Sequence, residues 1–252
     1  MTSPWSDDAL LELFSDVADA CAAAVDAMGD RRVPGLRQGQ YGLDLQADAA
    51  ALDLLDRAKV GVLSEESGLR RADAPIVVIL DPVDGSTNAS RRIPWYATSL
   101  CAVDGDGPRV ALVRNLATGV TFRATRGAGA SRDGEAIAPS AVVDVHSAVL
   151  GLSGYPPEHL GWRQFRTLGA AALDLCAVAS GSLDGFVDCS FDAHGVWDYA
   201  GGLLICREAG AHIDDALGRS LIVLDPEARR TPVASATVGL HDILVPARLR
   251  WT

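Results

Sequence analysis

The chain of 252 residues has no uninterrupted apolar run near the roughly 18 residues that a membrane-spanning helix needs. With 48% hydrophobic residues, its composition is instead that of a soluble globular protein. Basic residues are also scarce, because 22 Lys and Arg stand against 33 Asp and Glu and leave a net charge of −11. Such a charge repels nucleic-acid polymers and anionic membranes, so we expect neither as a partner. The net charge does not exclude a small anionic ligand if bound cations reverse the charge at its binding site.

Cysteine is sparse and has no close pairing. The five cysteines lack the CxxC spacing of zinc and redox sites, and they are Cys21, Cys101, Cys176, Cys189 and Cys206. We interpret them as buried thiols in a reducing compartment. Residues 1–13 contain Asp7, Asp8 and Glu12 before any basic residue, and they lack the basic and apolar regions of a secretion signal. The expected location is therefore the cytoplasm.

Hydrophobic periodicity predicts an α+β arrangement for the first half of the chain. Long amphipathic helices are expected over residues 6–28 and from about 46 to 58. Short β-rich runs follow at 60–63 and 75–80. Three further runs, at 96–103, 109–115 and 120–124, predict an antiparallel meander, and the polar residues 126–140 are expected to form turns.

The second half alternates between the two periodicities, which predicts a second α/β unit. Strands are expected near 148–152, 185–189, 212 and 221–224, and helices near 171–179 and 196–209. No repeat, low-complexity tract or long linker separates the halves. We therefore predict two closely packed halves, residues 1–140 and residues 141–252, with a cleft between them.

Residues 81–88, with the sequence DPVDGSTN, are the most informative segment. Pro82 fixes the backbone after Asp81, so Asp81 and Asp84 are expected to leave one tight loop. Gly85 allows backbone N–H groups to approach an oxyanion without a Cβ clash. This combination suits a hard cation and a phosphate. The alternative is an Asp-rich turn that caps the next helix.

Further acidic residues occur at the ends of other predicted elements. Glu65 and Glu66 follow a strand, where a carboxylate can bridge Mg²⁺, although an isolated Glu pair is usually solvated surface. Asp198 is expected at the N-terminus of an apolar helix, where an ordinary N-cap is the common explanation. Taken together with the carboxylates of residues 81–88, these residues favour a metal site.

Four motifs occur in a characteristic order: SEES at 64–67, DPVDGSTN at 81–88, RTLGAAALDLCAVASGSLDGFVD at 166–188 and WDYAGGLLICREAGA at 197–211. In these motifs the chain resembles the inositol monophosphatase family, within the superfamily of metal-dependent, lithium-sensitive sugar and nucleotide phosphatases. The resemblance spans most of the chain. It implies a sugar-phosphatase-like αβαβα layered sandwich with the metal site between the halves, and a homodimer formed through the sheet and helices of the first half.

The resemblance also implies a cofactor, which is Mg²⁺ in two or three copies. Glu65, Asp81 and the Val83 carbonyl match the ligands of the first ion, and Asp81, Asp84 and Asp198 match those of the second. Most of the implied ligands therefore come from the N-terminal half, while Asp198 comes from the C-terminal half.

Catalytic and substrate-binding positions are implied in the same way. The catalytic residues are Glu65, Ser86 and Asp48, whereas Glu66 is not a direct ligand in the family pattern. The positions expected to contact substrate are Asp84, Gly85, Ser86, Gly169, Ala170, Ala171 and Asp188.

The chain departs from the family pattern at several positions. Ser64 stands where Gly is usual, Ser86 stands for Thr, and only Asp48 survives of the early element at 42–48. The missing Thr of that element weakens the case for a third ion. The connection between residues 188 and 198 is slightly long and contains His194, which we interpret as a polar loop residue and not as a general base.

The leading hypothesis is a Mg²⁺-dependent phosphomonoesterase for a small polyol or sugar phosphate resembling inositol 1-phosphate. Histidinol phosphate, fructose 1,6-bisphosphate, a 3′-phosphoadenosine nucleotide and an intermediate of specialised metabolism stay open, because selectivity depends on contacts remote from phosphorus. A second class of function is also open, namely a relative that binds a phosphorylated ligand without hydrolysing it.

Overall fold

The protein is described by a computed structural model over residues 5–251. Residues 1–4 and 252 lie outside the described residues, and with them the first positions of the stretch 1–13 and the outermost positions of the two predicted halves. Over the described range, no helix is both long enough and apolar enough to cross a membrane.

Residues 5–251 form six α-helices and thirteen strands. The helices are α1 (Asp7–Ala27), α2 (Gly42–Ala58), α3 (Ser86–Arg91), α4 (Ala171–Ala179), α5 (Val196–Ala209) and α6 (Val238–Leu249), with a 3₁₀ turn at Val145–Ser147. The strands are β1 (Gly61–Ser64), β2 (Gly68–Arg70), β3 (Val77–Asp84), β4 (Ala97–Asp104), β5 (Gly107–Asn115), β6 (Thr121–Thr125), β7 (Gly129–Arg132), β8 (Glu135–Ala136), β9 (Val149–Ser153), β10 (Gln164–Arg166), β11 (Gly185–Asp188), β12 (His212–Asp215) and β13 (Pro232–Ser235).

Two sheets and three helical layers build the fold. The larger sheet has the order β2-β1-β3-β4-β5-β6-β7-β8, and the smaller one has the order β10-β9-β11-β13-β12. Helices α1 and α2 pack on one face of the larger sheet, and α4 and α5 pack on its other face and against the smaller sheet. Helix α6 covers the outer face of the smaller sheet. This is the predicted αβαβα sandwich.

Strands β3 and β4 at the centre of the larger sheet are buried on both faces, which explains why their sequences are nearly continuous apolar runs. In β3, Val78 and Leu80 belong to the core shared with α1 and α2, whereas Val77 and Ile79 belong to the core shared with α4 and α5. Successive side chains of a strand point to opposite faces, so an uninterrupted apolar sequence fills both cores.

The first two helices begin where side chains satisfy their free backbone N–H groups. The Ser6 hydroxyl accepts from the N–H of Ala9 at 3.2 Å, as the predicted start of α1 requires. Helix α2 begins at Gly42, four residues before the predicted start, and Asp44 accepts from the backbone N–H of Tyr41 at 2.8 Å. The prediction therefore missed the first turn of this helix.

The structure corrects three sequence-based expectations. Asp81 and Asp84 do not leave a tight loop, because β3 continues through both residues with a register shift between them. Residues 126–140 contain β7 and β8 as well as turns. No strand forms at 221–224, where the carbonyl oxygen of Leu221 instead accepts the hydroxyl of Tyr199 at 2.7 Å, and the strand paired with β12 is β13.

Candidate metal centre and active site

Acidic side chains from three elements meet at one edge of the larger sheet. Glu65 directly follows β1, and its N–H donates to the carbonyl of Leu80 in β3 at 3.2 Å. Strands β1 and β3 are parallel, so their carboxyl ends lie together, and Asp81 belongs to the last part of β3. Asp198 comes from the first turn of α5, which packs on this sheet. One carboxylate oxygen from each of Glu65, Asp81 and Asp198 lies within 4.8 Å of the others.

This carboxylate trio, Glu65, Asp81 and Asp198, is electrostatically unfavourable without a cation. Burial, followed by the negative charges of Asp198 and other nearby carboxylates, raises the pKa of Glu65 to about 9. Burial and the charge of Glu65 also raise the pKa of Asp81, which is only 1% exposed, well above its usual range. Buried oxygen donors at this spacing are the ligands that a hard divalent cation prefers. The residues present therefore fit a metal ion.

Asp84 lies beside the trio but makes different contacts. Its two carboxylate oxygens accept the backbone N–H groups of Ala171 at 3.2 Å and Ala172 at 2.7 Å, at the start of α4. Burial and the charge of Asp198 raise the pKa of Asp84 to about 7, and the two N–H donors act in the opposite direction. The end of β3 is thereby joined to the segment expected to contact substrate.

Gly85 makes the close approach of that segment possible. It has a φ of +84°, which favours glycine, and a Cβ there would lie 3.0 Å from the Gly169 carbonyl oxygen and 3.0 Å from the Ala170 Cβ. Ser86 begins α3 directly after it. The predicted substrate positions Gly85, Ser86, Gly169 and Ala170 thus come from two distant segments that the fold places in contact.

Asn88 holds the same two segments together. Its side-chain amide donates to the carbonyl oxygens of Leu168 at 2.7 Å and Trp95 at 2.8 Å. The indole N–H of Trp95 in turn donates to Asp174 in α4 at 2.8 Å. The last residue of the motif at 81–88 is therefore a structural link.

Asp48, in α2, contacts Ser64, the last residue of β1 and the neighbour of Glu65. The hydroxyl of Ser64 donates to Asp48 at 2.5 Å and accepts the N–H of Glu66 at 3.2 Å. The Glu66 carboxylate is bound by the side chains of Arg37 and Gln40. Glu66 is thus paired with Arg37 and Gln40, and Ser64, which departs from the family pattern, connects Asp48 to the turn that carries Glu65.

Two other predicted positions are deeply buried. Val83, whose carbonyl is an implied metal ligand, lies within β3 and has a side chain that is 3% exposed. Asp188 ends β11 with 0% exposure, accepts the N–H of Ser190 at 2.9 Å, and has a second oxygen without a hydrogen-bond partner among the described residues. Burial raises the pKa of Asp188 to about 6. Its contact with substrate hydroxyls stays a prediction.

His194 is a site residue whose contacts the sequence did not indicate. Its Nδ1 lies 3.1 Å from Oδ2 of Asp198 and its Nε2 lies 3.2 Å from the hydroxyl of Ser153. Burial lowers the pKa of His194, but the hydrogen bond and charge of Asp198, with Asp188 and Asp84, raise it to about 9. The interpretation as a merely polar loop residue is wrong. The only sequence signal is its position four residues before Asp198.

Comparisons with known proteins agree with the layered fold and the carboxylate trio. The sequence model of the inositol monophosphatase family matches residues 43–248 of this chain. A fructose-1,6-bisphosphatase/inositol-1-monophosphatase of Archaeoglobus fulgidus is 34% identical over 84% of this chain and 86% of its own length. Nus factor SuhB of Escherichia coli is 31% identical over 80% of this chain and 84% of its own length.

The fold comparison agrees with the family match. A Pyrococcus horikoshii protein described as similar to inositol-1 monophosphatase superposes with a TM-score of 0.86 at 24% identity, over 98% of this chain and 99% of that one. The chain belongs to the inositol monophosphatase family, and it is a phosphoric monoester hydrolase of that family.

Proposed function

We propose that this protein is a Mg²⁺-dependent phosphomonoesterase that hydrolyses a small polyol or sugar phosphate similar to inositol 1-phosphate. The observation that carries the proposal is the trio, in which three carboxylate oxygens from distant parts of the chain lie within 4.8 Å of one another. Divalent ions held there would also make the local charge of the site favourable to a phosphorylated substrate, although the protein as a whole carries a net charge of −11.

The residues of the site have separate roles in this proposal. Glu65, Asp81 and Asp198, with Asp84 and the Val83 carbonyl, would hold two ions, and a third ion would need Asp48. When bound, Mg²⁺ neutralises phosphate oxygens, lowers the pKa of an attacking water and stabilises the departing alkoxide.

The remaining residues position the reactants. The backbone N–H groups of Gly85 and Ser86 orient the phosphate, because the close contact of Gly85 with residues 169–170 fixes this backbone. The Ser86 hydroxyl orients the attacking water, and Glu65 accepts its proton. Asp188 and residues 169–171 contact the hydroxyl-bearing part of the substrate.

The substrate class is supported by a relative. The Archaeoglobus fulgidus protein, 34% identical, is named for both fructose 1,6-bisphosphate and inositol 1-phosphate. Histidinol phosphate, a 3′-phosphoadenosine nucleotide and intermediates of specialised metabolism remain alternatives for this chain.

We also propose a cytoplasmic location and a homodimer. All five cysteines are free, and four of them are buried, which suits a reducing compartment. Dimerisation through the larger sheet and helices α1 and α2 follows from the family resemblance. Sedimentation at micromolar concentration distinguishes the dimer from a monomer of 26.4 kDa.

The test is a phosphate-release panel of the candidate phosphomonoesters, run with Mg²⁺ and with chelator. We expect release only with Mg²⁺, fastest with inositol 1-phosphate or a sugar phosphate, and loss of release in Glu65→Gln. Glu227→Gln is the matched control, because Glu227 is an exposed carboxylate outside the site. Inactivity toward the whole panel, together with tight calorimetric binding of one member, would instead identify a non-catalytic binder.

A further inference from the structure

His194 bridges a proposed metal ligand and a neighbouring strand. Its imidazole lies between Asp198, whose Oδ2 is 3.1 Å from Nδ1, and Ser153 at the end of β9, whose hydroxyl is 3.2 Å from Nε2. The rings of His194 and Phe186 pack edge to face, with 6.4 Å between their centroids. The His194 side chain is only 13% exposed. Both ring nitrogens are therefore engaged, and neither is free to bind a metal or to take a proton from substrate.

The hydrogen bonds to Asp198 all fall on one oxygen. Oδ2 accepts the backbone N–H of Gly195 at 2.8 Å in addition to its contact with His194. Among the described residues, Oδ1 accepts no hydrogen bond. A carboxylate held twice through one oxygen keeps its plane fixed and leaves its other oxygen available to a cation.

We propose that His194 is a positioning residue of the metal centre, which fixes the carboxylate of Asp198 for cation binding and is itself anchored by Ser153. This inference rests on the proposed metal-dependent function. Groups that orient metal ligands in this way typically change metal affinity by about 10- to 100-fold when they are removed. Without His194, the Asp198 carboxylate keeps only the hydrogen bond from the Gly195 N–H and can rotate about it. The loss of His194 is therefore expected to weaken Mg²⁺ binding without abolishing it.

The test measures Mg²⁺ binding to the metal-free protein by calorimetry, separately from any enzymatic rate. His194→Ala removes both contacts, His194→Asn retains a donor near the position of Nδ1, and His194→Gln retains one near Nε2. We expect Mg²⁺ affinity to fall about tenfold in His194→Ala and in His194→Gln, and to return to within about threefold of wild type in His194→Asn. Ser153→Ala is expected to cause a smaller loss of the same kind.

His241 supplies the matched control. It is also a buried histidine bridging a serine and an aspartate, with Nδ1 2.8 Å from the Ser235 hydroxyl and Nε2 3.0 Å from Asp214. His241→Ala tests whether the loss of any such bridge changes Mg²⁺ binding, and we expect unchanged affinity. Circular dichroism of each metal-free variant checks that it is folded.

The outcomes separate this inference from the proposed function. Wild-type protein that binds no Mg²⁺ overturns both. Wild-type binding with equal affinity in His194→Ala overturns the positioning role alone. Equal losses in His194→Ala and His194→Asn also overturn it, because they show that ring volume and not the bond to Asp198 supports the site. Weakened binding rescued by Asn supports it.

Discussion

The carboxylate of Asp84 accepts the backbone N–H of Ala172 at 2.7 Å, which joins the end of β3 to the first turn of α4 across 88 residues of sequence. The N–H of Ala171 donates to the other oxygen at 3.2 Å. Asp84 thus satisfies free N–H groups of a buried helix as well as carrying charge beside the trio. A single substitution at this position therefore has two separable effects.

Asp84→Asn is expected to lower both turnover and stability. The amide nitrogen cannot accept from the N–H groups of α4, so in Mg²⁺, which screens the repulsion between Asp84 and Asp198, the free energy of unfolding should fall by about 1–3 kcal/mol. Loss of charge beside the trio should lower kcat by about 10²-fold or more. Denaturant unfolding and phosphate release measure the two effects. Asp53→Asn, at an exposed position of α2, should change neither; an unchanged unfolding midpoint in Asp84→Asn would contradict the capping role.

Gly85→Ala tests the contact between the motif at 81–88 and residues 169–170. Gly119 has a similar φ of +80° against +84°, but a Cβ at Gly119 meets nothing within 4 Å. Both substitutions force alanine into the left-handed region at a cost of about 1–2 kcal/mol. Only Gly85→Ala adds a clash with buried backbone, so its denaturation midpoint should fall further and its activity should be lost. Equal losses in the two variants would show that backbone strain alone matters.

Mg²⁺ is expected to stabilise the folded protein. Cation binding relieves the repulsion that raises the pKa of Glu65 and Asp81, and a ligand at 100 times its Kd adds about 2.7 kcal/mol of stability. The unfolding temperature of chelator-treated protein should therefore rise as Mg²⁺ is added, but not with equal ionic strength of Na⁺. The rise should be much smaller in Asp198→Asn. A similar rise in that variant would place the ion elsewhere.

The ion pair between Arg219 and Asp215 predicts a pH dependence of stability away from the site. Burial alone would raise the pKa of Asp215. The hydrogen bonds from Arg219 and Thr231 have a larger, opposite effect, so the pKa lies below its usual value. A carboxyl with a depressed folded pKa stabilises the fold above its unfolded pKa of about 3.9, and this contribution is lost as the pH falls through the folded pKa.

Arg219→Gln should therefore destabilise the protein at pH 7 by about 1–3 kcal/mol, because the Asp215 carboxylate, whose side chain is 0% exposed, loses its charged partner but keeps the hydrogen bond from the Thr231 N–H. The difference from wild type should narrow below about pH 4. Arg57→Gln, which removes an exposed pair with Asp53, should cost less than about 0.5 kcal/mol. A constant difference between pH 3 and pH 7 would exclude the ion pair as the cause.

Regular hydrophobic periodicity predicted the elements that build the buried layers. Helix α5 begins and ends where expected, and β4, β5 and β6 form the expected meander. The short strands β7 and β8, at one end of the larger sheet, were not predicted, because strands of four and two residues are too short to show a periodic signal. Helix α6 was also missed, and it contains Pro246, a residue that usually marks a helix boundary.

The site was only partly predictable. Glu65 and Asp81 are recognisable because each closely follows an apolar run of the sequence, and parallel pairing of β1 and β3 brings them together. The position of Asp198 beside them depends on packing of α5 against the larger sheet, which local sequence does not encode. The contact of His194 with Asp198 depends on side-chain geometry around the start of α5, so the sequence alone does not predict it.

The most direct test of the central claim is the rate of phosphate release from inositol 1-phosphate by metal-free protein during titration with Mg²⁺, for wild type and Asp81→Asn. Asp81 is the buried member of the trio. Because Asn and Asp have nearly the same volume, Asp81→Asn removes a charged ligand with little effect on packing. We expect wild-type activity to rise from zero and saturate, and folded Asp81→Asn to stay at least about 10²-fold lower. Wild-type release that is undiminished in chelator, or full activity in Asp81→Asn, would contradict catalysis by metal ions held at these carboxylates.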